Sequence, residues 1–136
     1  MKRILMTSFM VVWQLAVVFS QTKADDVTGY YLTHDPKTND KAQLEIYRAV
    51  GGTYEAKVVW VENKSASHEV GTVQIRNLTY DPKSKEWKNG KVKYDGSEYS
   101  MNVSFTDDGR LKARGFLGIS LLGKTQYWTK EKEARK

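Results

Sequence analysis

The chain has 136 residues, no cysteine and a formal charge of +6. That length leaves room for one modest domain, and the missing thiols exclude a disulfide framework, a thiol nucleophile, a thiolate metal site and a lipid-modified cysteine behind a leader. Nucleic acid is excluded as a partner too, because the basicity sits at the ends: Lys2, Arg3 and Lys23 lie in the first 24 residues and residues 130–136 carry +2, so the body between is close to neutral.

At the N-terminus, Lys2 and Arg3 precede an almost wholly apolar run from Ile4 to Phe19, and Thr22 and Ala24 put small residues at the two key positions of a cleavage site. Residues 1–24 therefore read as a secretory signal peptide, with a cut after Ser20 as the competing position. As a membrane anchor the run falls short of the ~20 apolar residues that cross a bilayer and is interrupted by Gln14. Export to the periplasm or the medium is the expectation, with no membrane anchor left after cleavage. The remainder divides into a domain over residues 25–129 and a charged, solvated tail over residues 130–136.

Strands and turns follow, with no convincing amphipathic helix. Val27 to Thr33 is the first strand, ended by His34-Asp35-Pro36-Lys37, a type I turn pattern. Ala42 to Val50 sets Leu44, Ile46 and Arg48 against Glu45 and Tyr47, and Gly51-Gly52 turns it back. Thr53 to Val61 sets Tyr54, Ala56, Val58 and Trp60 against Glu55, Lys57 and Val59. Glu62 to Glu69 is polar and reads as a loop. Gly71 to Tyr80 is the fourth strand, closed by Asp81-Pro82-Lys83. Trp87-Lys88-Asn89-Gly90 reads as a turn before a short fifth strand, Lys91 to Tyr94. In the sixth, Glu98 to Thr106, the residues Tyr99, Met101, Val103 and Phe105 alternate strictly with Ser100, Asn102, Ser104 and Thr106, the period of a half-buried strand. Asp107-Asp108-Gly109 supplies hairpin chemistry. Arg110 to Leu117 and Lys124 to Thr129 complete the set.

Eight short strands with short links predict an all-β fold, an eight-stranded antiparallel up-and-down barrel, because closure removes exposed edges. A two-layer sandwich is the rival, disfavoured by the lack of long crossovers. Leu32 to Thr38 is echoed by Leu78 to Ser84. Duplication of half a barrel, or two strand ends that chose the same turn chemistry, would each produce this echo.

Nothing resembles catalytic machinery. His34 and His68 have no acidic or cysteine partners at ligand spacing, no strained nucleophile context occurs, and Asp25-Asp26 and Asp107-Asp108 sit at a terminus and in a turn. Neither a metal nor a cofactor nor an enzyme is expected. Sequons begin at Asn63, Asn77 and Asn102 and matter only in a host that glycosylates exported proteins. Aromatic residues make up 12% of the chain, enough to line a small barrel with Tyr54, Trp60, Tyr99 and Phe105 beside Met101 and Val103. The same side chains would serve equally as a filled core, and a one-residue slip of register inverts the inward face.

Gly29-Tyr30-Tyr31, Trp87-x-x-Gly90-Lys91, Tyr94-Asp95-Gly96-x-x-Tyr99, Leu111 to Gly118 and Leu122-Gly123-Lys124-Thr125-Gln126-x-Trp128 together resemble a bacterial family of small exported proteins catalogued as a domain of unknown function. The resemblance covers the mature chain, is most specific in its C-terminal block, and implies a lipocalin-like barrel of the calycin group. The chain departs from the family pattern at Tyr94-Asp95-Gly96, a shortened turn. Lipocalins pack an aromatic of the first strand under an arginine of the last strands. By that resemblance Arg114 would lie over Tyr31 or Trp128 as a structural seal. The expected role is binding of a small, mostly apolar molecule in the barrel interior. The alternative is an envelope or surface protein with a packed barrel whose loops, Glu62 to Glu69 and Pro82 to Lys88, contact a protein or glycan.

Overall fold

The computed structural model describes residues 22–35, 37–94, 96–116 and 125–136; most of the segment 1–24 expected as a signal peptide lies outside them. Eight strands follow one another in the chain: β1 Gly29–His34, β2 Lys41–Arg48, β3 Tyr54–Val61, β4 Val73–Asp81, β5 Glu86–Tyr94, β6 Ser97–Phe105, β7 Leu111–Phe116 and β8 Thr125–Glu131. Two short 3-10 turns accompany them, Ala24–Val27 before β1 and Lys64–Glu69 inside the segment read as a loop. Each strand pairs antiparallel with the next, and β1 closes on β8 through Tyr30 opposite Glu131, so the sheet is a closed barrel rather than a sandwich.

The turns follow their local chemistry. The carboxylate of Asp35 accepts the Lys37 amide at 2.7 Å, and that of Asp81 accepts the Lys83 amide at 3.0 Å, the same side-chain turn twice. These two turns are the sequence echo. They end β1 and β4, which run in opposite directions and leave the barrel at opposite ends, whereas a duplicated half-barrel would relate β1 to β5. Shared turn chemistry is the origin of the echo.

Two bulges account for the departures from the expected elements. Asn89 has a φ of 65° and the β5–β6 register shifts between Trp87 and Gly90, so Asn89-Gly90 kinks a continuous strand where a turn was expected. Trp87 thereby belongs to β5 and is fully buried. A Cβ on Gly90 would meet Leu78 Cδ2 at 2.6 Å and the Met101 carbonyl oxygen at 3.0 Å, so only glycine fits there. A second register shift, between Gln43 and Leu44 against β3, brings Gln43 opposite Trp60 but Leu44 opposite Val58. Past it the alternation of β3 inverts, and Trp60 leaves the inward series of Tyr54, Ala56 and Val58.

The charged tail is exposed over Lys132 to Lys136, yet it is docked on the barrel rather than free of it. Strand β8 extends to Glu131, and the chain beyond it crosses the outer face of β2 and β3. Gln43 is fully buried beneath it. The Gln43 amide donates to Glu131 Oε1 and to the Glu133 carbonyl, both at 2.9 Å, and its oxygen accepts the Arg135 amide at 2.8 Å. The Arg135 guanidinium pairs with Glu131 at 2.7 Å and stacks over the Trp60 ring at 5.0 Å.

Candidate functional site

The barrel has one sealed end. There the 3-10 turn Ala24–Val27 lies across the interior, and its backbone carbonyls, with that of Thr22 before it, receive aromatic donors. Trp87 Nε1 donates to the Ala24 carbonyl at 3.0 Å, the Tyr31 hydroxyl to Val27 at 2.8 Å and the Tyr80 hydroxyl to Thr22 at 2.9 Å. The Tyr54 hydroxyl donates to the Asp25 carboxylate. Burial, with Asp26 nearby, raises the Tyr31 phenol well above its ordinary value, and burial followed by the Asp25 bond pushes Tyr54 up to about 12. Trp87 also packs against Tyr80 at 4.8 Å and edge-on to Phe105 at 5.7 Å. Lys130 completes the seal, its Nζ 5.9 Å from the centre of the Tyr31 ring and 5.8 Å from that of Phe105, and 3.4 Å from the Asp26 carbonyl.

Above this packed half lies a cavity of about 330 Å³ that reaches the opposite end of the barrel. Its floor and walls are mostly apolar, Leu44, Val58, Ile75, Val92, Met101 and the Trp128 indole, with the amides of Gln74 and Gln126 among them. Ala113 and Gly115, both on the inward register of β7, leave open the space that larger side chains would take. The mouth is polar, with His34, Asp35, Asp40 and Lys41 from the β1–β2 connection and Asn63 and Glu69 from the β3–β4 connection. Around it, wall donors are already engaged. The Thr33 hydroxyl donates to the Ala42 carbonyl at 3.2 Å, Asn63 Nδ2 to Asp40 at 3.3 Å, the Tyr94 hydroxyl to Asp35 at 3.3 Å and Trp128 Nε1 to Gln126 Oε1 at 3.0 Å.

Of the residues expected to line the interior, Met101 lies in the cavity wall. Tyr54 and Val103 are buried in the packed half, Phe105 is at the seal, and Tyr99 packs against the core without reaching the cavity. Trp60 is on the outer face under Arg135, displaced by the bulge in β2–β3. Of the expected seal, Tyr31 is in place. Trp128 instead lines the cavity. Arg114 is exposed, since it alternates with the inward Leu111, Ala113 and Gly115 series of β7, and Lys130 stands over Tyr31 in its stead. Leu44, Val58, Ile75 and Val92 were visible as alternating apolar positions, but nothing in the sequence marked them off from the packed half. Among the described residues no group of three or more His, Cys, Asp or Glu side chains is placed to hold a metal ion.

The sequence profile of a bacterial protein family described as "uncharacterized protein conserved in bacteria (DUF2147)" matches residues 29–130. A search of the curated proteins gives no match. Among solved structures, the chain is similar to HP1028 of the human pathogen Helicobacter pylori, described as belonging to the lipocalin family. The TM-score is 0.62 at 18% identity, over 79% of this chain and 84% of that one. At that identity the likeness speaks for the barrel fold alone.

Proposed function

The chain belongs to the DUF2147 family of bacterial proteins and has a lipocalin-like barrel, and from that premise we propose that it is an exported, non-catalytic carrier of a small, mostly apolar molecule held in the barrel interior. The observation that carries this reading is the cavity: about 330 Å³, mostly apolar below and polar toward the end opposite the stopper. Its volume is near the lower bound of ordinary ligand pockets and roughly twice the ~150 Å³ engineered cavity that takes up benzene. A packed barrel, which the loop-binding alternative needs, has no such space. Non-catalytic binding is supported by the state of the mouth, where Asp35 and Asp40 accept bonds that hold their own turns and neighbours. Export accords with the leader pattern of residues 1–24.

Native mass spectrometry of protein purified from its own host tests the reading. The expected result is a noncovalent adduct that dissociates on activation and is absent from a folded Ala113→Trp variant, whose indole would fill the cavity. Apo protein from the host, together with failure to take up added apolar ligands, would sink the proposal.

A further inference from the structure

The cavity's mouth has a chemical bias that its apolar floor does not. Among the described residues, the charged side chains lining it are the carboxylates of Asp35, Asp40 and Glu69 and the ammonium of Lys41, with His34 beside them. A ligand whose polar end is an anion needs donors, and several of those near the apolar wall are engaged within the chain, leaving the neutral amides of Gln74 and Gln126 in the lining. Thr33, Asn63, Tyr94 and Trp128 each give a proton to an internal acceptor, and the acceptors used by Asn63 and Tyr94 are the mouth carboxylates themselves. A carboxylate or phosphate entering here would lose water, face surplus negative charge and find mainly Lys41 and neutral amides. An ammonium would meet the carboxylates of Asp35, Asp40 and Glu69 and add a charge-assisted bond to those that Asp35 and Asp40 already accept.

Resting on the carrier reading above, we infer that the barrel selects an apolar chain or ring ending in a protonated amine and discriminates against fatty-acid-like anions. The apolar body sits on Met101 and Trp128 and supplies most of the affinity. The head at the mouth supplies the selectivity, which is modest because the carboxylates are partly solvated and screened by salt.

Calorimetric titration of the purified protein at neutral pH and low salt with decylamine, decanol and decanoate, below their aggregation concentrations, tests this. Decylamine is expected to bind roughly three- to tenfold tighter than decanoate, with decanol between them, as two surplus partly exposed charges allow. The gap should close at high salt and in an Asp40→Asn, Glu69→Gln double variant. Decanoate binding as tightly as decylamine overturns the inference while leaving the carrier reading intact. So does decylamine binding undiminished in the cavity-filled Ala113→Trp variant, which would assign its affinity to the surface. Binding by none of the three removes the carrier reading itself, and the inference with it.

Discussion

Lys130 and Arg114 show how a single register decides a side chain's role. Both are basic residues near the end of the chain, yet Lys130 follows Trp128 by two positions on β8 and shares its face, while Arg114 falls between inward neighbours on β7. Lys130→Met keeps the alkyl stem and removes the charge over Tyr31 and Phe105. It is expected to lower unfolding free energy by about 0.5–1 kcal/mol. Thermal or urea melts decide it, and a variant as stable as the parent would show that the charge over the two rings contributes nothing. Gly90 is a sharper case. Because the added methyl would press on the Met101 backbone as well as on Leu78, Gly90→Ala should cost about 1–3 kcal/mol, measured by the same melts, although alanine ordinarily suits a strand better than glycine.

At the scale of elements, the turn Ala24–Val27 and the residues before it act as the stopper of the barrel. The carbonyls of Thr22 and Ala24 receive the Tyr80 hydroxyl and the Trp87 indole N–H. A chain starting at Gln21 keeps both acceptors, whereas one starting at Asp25 leaves the Trp87 donor without its partner in a buried position. The shorter chain is expected to be less stable by about 1–3 kcal/mol in urea titration. Equal midpoints for the two would show the stopper to be dispensable. The same element confers an alkaline limit. Tyr54 keeps its proton in the folded state up to about 12, against 10.0 for an unperturbed tyrosine, so above the lower value the folded form holds more protons than the unfolded one. Its contribution is therefore full below pH 10 and lost as pH rises from there through about 12. Tyr54→Phe should flatten the fall in stability over that window. An unchanged alkaline slope would assign the loss to other groups.

For the whole molecule, the division of the interior into a packed half and an open half is what the proposed carrier role rests on. Ligand that binds only the folded state raises its stability by mass action, by about 2.7 kcal/mol at a hundredfold excess over Kd. Differential scanning calorimetry should show a concentration-dependent rise in Tm with decanol for the parent and none for Ala113→Trp. Much of this architecture was legible in the sequence. The alternation of Tyr99, Met101, Val103 and Phe105, the Asp-Pro and Asp-Asp-Gly turns and the eight-strand spacing all express local backbone preference, and each reappears in the barrel. Asn89-Gly90 misled because a positive φ serves a bulge as well as it serves a turn. Trp60 misled because one extra residue in the β2–β3 ladder inverts the faces beyond it.

Periodicity and turn chemistry are local properties, so the sequence by itself determined an all-β meander, its strand order and its alternating apolar series, but not which face of each strand points inward. Which inward residues pack and which enclose space depends on what arrives from elsewhere in the chain. The stopper at Ala24–Val27 fills one end, the small side chains Ala113 and Gly115 leave room toward the other, and the tail past Glu131 covers Gln43 from outside. Those contacts join residues some 60 to 90 positions apart, and only tertiary closure of the barrel brings them together.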